Sequence, residues 1–197
     1  MPPTPTRTPP PAERELGVER GKVYPASEAR MLELPVRRLL KSPRRLADLA
    51  SVAPGYRVLE LGPGPGFFSR ELAHRVPDGH LALCDFQVDM LRRARPKLAG
   101  LSASAVAGDA LALPYRDGAF DAAVLVTVLG EVPDPLGCIG ELHRVLRPRA
   151  RLVIGEQQGD ADYIPVEQLR STIEPLGFTF EIRTGIAFSY NAVFLRD

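Results

Sequence analysis

At 197 residues, with 45% apolar and 25% charged side chains, the chain has the balance of one globular unit rather than of a disordered or membrane-spanning one. A formal net charge of +1 removes the broad electrostatic pull behind most nucleic-acid binding, so no nucleic-acid partner is expected and a small, nearly neutral substrate suits the chain better. No stretch reaches the 18 apolar residues of a membrane span and the N-terminus lacks the apolar core of a secretory signal, which points to no membrane span and to the cytoplasm.

Residues 1–24, opening "MPPTPTRTPPPAERE", bury almost nothing and read as a flexible, extended proline-rich tail. Residues 25–197 form the expected folded domain. Its first part, 25–52, places Met31, Leu32, Leu34, Leu39, Leu40, Leu46 and Leu49 at roughly helical spacing, interrupted by Pro35 and Pro43. Two or three short helices follow from that, the one candidate for a lid.

Short β-rich runs then alternate with helical periodicity. "YRVLELG" precedes a helix starting near Gly66, "HLALCD" a helix over Val88 to Leu98, and "ASAVAGD" a loop. "FDAAVLVTVL" precedes a helix over Pro135 to Leu146, and "ARLVIGEQ" one over Val166 to Pro175. Strands apolar nearly throughout belong to a parallel sheet covered on both faces. "GFTFEIRTG" and "FSYNAVFL" close the chain as an antiparallel hairpin. The fold class is α/β, a doubly wound sheet of seven strands with one antiparallel strand near its C-terminal edge. Cys84 and Cys138 fall in apolar runs without ligand spacing, so buried free thiols are expected and no metal site.

In such a sheet ligands sit beyond the carboxyl ends of the strands, which directs attention to "VLELGPGPGFFSREL", Val58 to Leu72. A triphosphate-binding loop needs Gly-Lys-Ser/Thr, and Phe67, Phe68 and Ser69 follow Gly66 instead. The dinucleotide spacing is one residue short, with glycines at Gly62, Gly64 and Gly66. Pyrophosphate is gripped by backbone N–H groups, and Pro63 and Pro65 have none. A nucleoside without phosphates is the better ligand. Asp85 ends the second strand, where a carboxylate can accept from both ribose hydroxyls, and Asp109 follows the third, within reach of an adenine amino group.

Through "VLELGPGPGFFS", "LCDFQVDML", "GDALALPYRDGAFD" and "ELHRVLRPRARLVIGE", roughly Gly55 to Glu156, the chain resembles the class I S-adenosylmethionine-dependent methyltransferases, and within them the type 11 and quinone-biosynthesis enzymes. The resemblance implies a Rossmann-like three-layer αβα sandwich with strand order 3-2-1-4-5-7-6 and an antiparallel last strand. It implies S-adenosyl-L-methionine as cofactor and a small-molecule methyl acceptor. Glu60, Gly62, Pro63, Gly64 and Gly66 would line the methionine end, Asp85 the ribose, Phe86 the adenine face, and Asp109 with Ala110 the adenine edge. Two competing readings stay open: Glu60 as a partner of the neighbouring loop, and Phe86 as a core residue.

A methyl group on a positive sulfur is already activated, so the protein has mainly to align and desolvate the acceptor, with a base where the acceptor starts protonated. Glu131, in "TVLGEVPD", is the catalytic candidate, against a helix-capping or solvent-facing role; Glu156 is a second. Tyr163 and Tyr190 form an aromatic wall or simply pack. His74, His80 and His143 lack partners at useful spacing. Two departures stand out. Arg149 and Ala150 replace the usual Gly-Gly before the fifth strand, so that turn avoids positive φ or is strained. "VLGE" replaces the Arg-Asn pair of quinone enzymes, which argues against quinone. A non-catalytic scaffold and a macromolecular acceptor are the alternatives, and oligomeric state, a homodimer included, stays open.

Overall fold

The computed structural model describes residues 41–160 and 162–197; the expected tail over 1–24 and most of the expected lid, 25–40, lie outside them. What is described of the lid centres on helix α1 (Pro43–Leu49). Ser42 caps it, its Oγ accepting the Arg45 N–H at 3.4 Å, and Pro43 occupies the first turn, where no N–H is needed. Pro43 therefore starts a helix, and Leu46 and Ala47 on it are buried.

Five parallel strands follow: β1 (Arg57–Leu61), β2 (His80–Asp85), β3 (Ala103–Ala107), β4 (Phe120–Val126) and β5 (Leu146–Gln157). Helices α2 (Ser69–Arg75), α3 (Val88–Ala94), α4 (Pro135–Val145) and α5 (Val166–Ile173) come after β1, β2, β4 and β5. The hairpin of β6 (Phe178–Ile186) and β7 (Ser189–Arg196) completes one seven-stranded sheet in the order β3-β2-β1-β4-β5-β7-β6, with β7 antiparallel to both neighbours. Strand order and the antiparallel strand match the expectation.

Side chains alternate between faces along each strand, and both faces are covered. Leu59, Leu61, Ala123, Leu125, Leu152 and Ile154 pack on the side of α4 and α5. Val58, Ala122, Val124, Val126 and Val153 pack on the side of α1, α2 and α3. All seven residues of β4 are buried, whereas β3, at the sheet edge, has none buried. Each fully buried Leu or Val contributes about 1.5–3 kcal/mol of transfer free energy, so the centre of the sheet, not its β3 edge, holds the strand ends in place. Cys84 and Cys138 are buried free thiols, their pKa values pushed up by burial to about 11 and about 12.

Two helices end sooner than their periodicity predicts, for one reason. α3 stops at Ala94 and the chain continues as a 3-10 turn over Arg95–Leu98 that contains Pro96; α5 stops at Ile173 before a 3-10 turn over Glu174–Leu176 that contains Pro175. Proline removes an N–H and collides with the preceding turn, so regular α-helix ends there. α4 runs as expected, with Pro135 in its first turn and Asp134 as cap, Oδ1 accepting the Gly137 N–H at 3.0 Å.

β5 starts earlier than its apolar run. Leu146 pairs with Phe120, then Arg151 with Ala122, and the residues between bulge opposite Asp121. At the bulge Arg149 adopts φ +64°, so the turn takes the strained conformation without the glycine that would make it comfortable. Asp121 is tied on both sides, accepting the Arg57 backbone N–H at 2.6 Å and pairing with the Arg147 guanidinium.

Candidate active site

The glycine turn leaves β1 with Gly62, Gly64 and Gly66 all at positive φ, a path only glycine follows without cost. Gly62 N–H donates to the Cys84 carbonyl at 2.8 Å. A Cβ on Gly62 would lie 2.5 Å from Val128 Cγ2, so its missing side chain makes room for the loop after β4. Gly62 is therefore needed for the packing of the β4 loop against the turn, whatever ligand the turn holds. Gly64 keeps its N–H, between two prolines, and donates it to Asp85 Oδ2 at 3.2 Å.

Asp85 is consequently held from two sides, since Gln87 N–H donates to Oδ1 at 2.8 Å. Burial raises its pKa, and these two hydrogen bonds pull it back down. Each carboxylate oxygen has two lone-pair directions, so one on each remains for a pair of hydroxyls. Phe86 follows with 72% of its surface exposed, which removes the core reading. Leu111 is exposed as well. Asp109 is exposed and accepts the Leu111 N–H at 2.9 Å; Gly108 N–H donates to the Asp85 carbonyl at 3.1 Å and ties the ends of β2 and β3 together. Ala110 is half-buried against the core.

Glu60, the fourth residue of β1, is buried. Desolvation pushes its pKa up to about 7, the nearby Ser69 hydroxyl lowering it and the Asp85 charge raising it further. Its Oε2 has no hydrogen-bond partner among the described residues. A buried carboxylate with one oxygen left without a donor, a carboxylate with two spare lone pairs and an exposed aromatic face ask for a cation, a diol and a flat heterocycle. S-Adenosylmethionine carries an α-ammonium group, a ribose and an adenine, and the residues fit it.

The second half of the site lies beyond β4 and β5. Thr127, at φ +54°, donates its N–H to the Gly155 carbonyl at 2.7 Å. Glu131 ends the 3-10 turn Leu129–Glu131 and is half-buried. The cap of α4 is Asp134, so Glu131 is not needed in that role. Glu156 is 2% exposed, the Ile164 backbone N–H donates to it, and burial pushes its pKa up to about 8. Lys41, equally buried, donates to the Glu156 carbonyl at 2.9 Å and to the Tyr190 carbonyl at 2.7 Å. Gly155 makes this possible, because a Cβ there would come within 3.1 Å of Lys41 Nζ. The sequence reading missed Lys41 altogether; the sole signal was one cation at the end of an apolar helical run.

Most of the remaining candidates pack or pair within the fold. Tyr190 is 1% exposed, its hydroxyl donating to the Ile164 carbonyl at 2.6 Å, with Tyr163 edge-on at 6.1 Å. Phe68 is buried beside Phe67 at 4.8 Å, and Phe188 is exposed at the hairpin turn. His80 has partners after all, Ser102 at 3.2 Å and Ser104 at 2.8 Å, but at the start of β2, away from the strand ends. His143 packs edge-on against Phe178.

Residues 58–149 match the family model described as a methyltransferase domain, and that stretch contains the glycine turn, Asp85, Asp109 and Glu131. Over that stretch, just under half of its length, the chain is similar to methyltransferase domains. Among curated relatives, the demethylmenaquinone methyltransferase of Roseiflexus castenholzii is 44% identical over 105 residues, 52% of this chain and 44% of that one. The demethylmenaquinone methyltransferase of Thermus thermophilus is 40% identical over 115 residues, 57% of this chain and 52% of that one. The chain thus spans about half the length of the curated relatives it matches. Among solved structures, an S-adenosylmethionine-dependent methyltransferase from Aquifex aeolicus superposes with a TM-score of 0.82 at 21% identity, over 89% of this chain and all of that one, a likeness of fold. No helix among the described residues is long and apolar enough to cross a membrane.

Proposed function

We propose that the protein transfers a methyl group from S-adenosylmethionine to a small, apolar or aromatic acceptor in the cytoplasm. The observation that carries this reading is Asp85, pinned by the Gly64 and Gln87 N–H groups so that its free lone pairs stand where the glycine turn and Phe86 meet. When bound, the cofactor supplies a methyl group activated by a positively charged sulfur. Asp85 holds the ribose hydroxyls, Phe86 covers one adenine face, and Asp109 with Ala110 meets the adenine edge. Glu60 faces the methionine ammonium group, and Gly62, Pro63, Gly64 and Gly66 form the turn beneath it. Thr127, Val128 and Glu131, beyond β4, line the side from which the acceptor arrives. The buried apolar walls keep water away, which strengthens every polar contact inside.

The relatives' names favour an aromatic acceptor of quinone type. The "VLGE" sequence in place of their Arg-Asn pair favours a different ring. Exposed Phe188 at the hairpin turn suits an aromatic body in either case.

Isothermal titration with S-adenosylmethionine tests the reading. Wild type should bind, and Asp85→Ala should bind about tenfold more weakly, the scale of losing charge-assisted hydrogen bonds. A folded wild type that does not bind would overturn the proposal and leave a scaffold that has lost its ligand.

A further inference from the structure

Glu156 is a costly residue for a fold to keep. It is 2% exposed at the end of β5, one oxygen at most is served by the Ile164 N–H, and Oε1 has no hydrogen-bond partner among the described residues. A buried unpaired acceptor is destabilising, and native proteins seldom retain one without a purpose. Its position is informative. Gly62 ends the β1 side of the site, Thr127 and Val128 the β4 side, and Thr127 is bonded to Gly155, the residue before Glu156. β1, β4 and β5 are consecutive in the sheet, so Glu156 stands about 10 Å across from the glycine turn, two strand spacings away.

The surroundings set the charge of the carboxyl group between opposing influences. Lys41 is bonded to the Glu156 main-chain carbonyl and lies close enough to favour the charged form. Asp160 and Asp162 oppose that, and burial opposes it most. Tyr190, paired with Glu156 across β5 and β7, offers its ring, with Tyr163 beyond and the Arg183 guanidinium over the Tyr190 ring. The same corner of the sheet holds two more buried oxygens without a hydrogen-bond partner among the described residues, Ser189 Oγ and Asn191 Oδ1, on the opposite face of those strands. Exposed Ile186 and Phe188 flank it at the hairpin turn.

We infer that Glu156 is the catalytic base of the methyl transfer and that the acceptor is an aromatic compound bearing a hydroxyl group, which it presents to Glu156 Oε1. The step is a proton transfer: the acceptor O–H bond breaks, its electron pair stays on oxygen and spreads into the ring, the proton goes to Oε1, and the negative charge passes from carboxylate to acceptor. A base whose pKa lies near neutrality suits that task. The assignment rests on the methyltransferase reading above and gives Glu131 the lesser role of lining the cleft.

The test uses 1-naphthol and its methyl ether, 1-methoxynaphthalene, which differ only at the hydroxyl. The chain has no tryptophan, so naphthalene fluorescence reads binding against a low background. With S-adenosylhomocysteine present, wild type should prefer 1-naphthol by about tenfold, the scale of one hydrogen bond to a charged group. Glu156→Gln, which keeps the shape and the Ile164 contact, should lose that preference, and Glu167→Gln, at an exposed position of α5, should keep it. A preference unchanged in Glu156→Gln, or no preference and no naphthol binding in wild type, overturns the assignment. Titration of S-adenosylhomocysteine into the same preparations separates the two readings. Its failure in wild type removes both, whereas intact binding with an unchanged hydroxyl preference in Glu156→Gln removes the Glu156 assignment alone.

Discussion

The two halves of the site are built by different means. On the side of β1, β2 and β3, the polar groups are fixed by short-range chain geometry: Asp85 by Gly64 and Gln87, Asp109 by the Leu111 N–H two residues on. On the side of β4, β5 and β7, they are fixed by groups far away in sequence, Lys41 meeting the carbonyls of Glu156 and Tyr190, 115 and 149 residues distant. The first half is a turn that one stretch of sequence specifies. The second exists only when the whole sheet has assembled.

Gly62→Ala should break the comparison most severely, because Gly62 belongs to both halves. The new Cβ would meet Val128 at 2.5 Å in a backbone at φ +62°, so both strain and overpacking apply. A loss of about 2–4 kcal/mol in a urea melt is expected, together with weaker cofactor binding and a displaced β4 loop. A stable Gly62→Ala protein with unchanged binding would show that the two strand ends are not locked together.

A pH series tells the halves apart. An unfolded glutamate ionises near 4.5, whereas Glu60 does so at about 7 and Glu156 at about 8. Between those values the folded chain holds more protons than the unfolded one, so each residue makes stability fall as pH rises, from about 4.5 to about 7 for Glu60 and on to about 8 for Glu156. His80 and His143, with lowered pKa values, act in the opposite direction and are common to all variants. Glu60→Gln and Glu156→Gln should each gain on wild type as pH rises, by an amount on the order of 2 kcal/mol at pH 8, read from thermal melts. Saturating S-adenosylmethionine should shrink the Glu60 difference, since its ammonium group favours the charged carboxylate, and leave the Glu156 difference in place. Equal shrinkage at both would place the cofactor against Glu156 as well.

The same contrast explains what the sequence made legible. The alternation of strands and helices, the glycine turn and the strand-end residues Asp85 and Asp109 are tied to a strand-turn-helix pattern with a two-residue or 3.6-residue period, and such patterns are printed in the chain; the strand order and the place of Phe86 came through the family resemblance instead. Helix ends at Pro96 and Pro175 were available too, from the chemistry of proline. Lys41 was not, because nothing local distinguishes a lysine that crosses to a sheet face from one that points to water. The space that receives it comes from Gly155, whose role is visible only when Asn191 and Lys41 are seen around it. The depth of Glu156 is equally a property of packing, and a glutamate after an apolar strand reads the same whether buried or exposed.

Arg149 supplies the smallest effect and a control on the rest. It sits at φ +64° in the bulge at the beginning of β5, at the opposite end of that strand from Glu156, with its side chain exposed. A non-glycine residue in the left-handed region costs about 1–2 kcal/mol, and glycine there gives part of that back through the extra freedom of its unfolded chain. Arg149→Gly should therefore stabilise the protein by about 0.5–1 kcal/mol, a rise in melting temperature of about 1–4 °C for a chain of this size. Asp121 keeps its Arg57 and Arg147 partners in this variant, so the bulge itself should persist. Cofactor affinity and the naphthol preference should not move, because neither half of the site draws on this turn. A change in either would mean that the β5 bulge sets how far Glu156 projects beyond Thr127, and the long-range half of the site would then depend on a local turn after all.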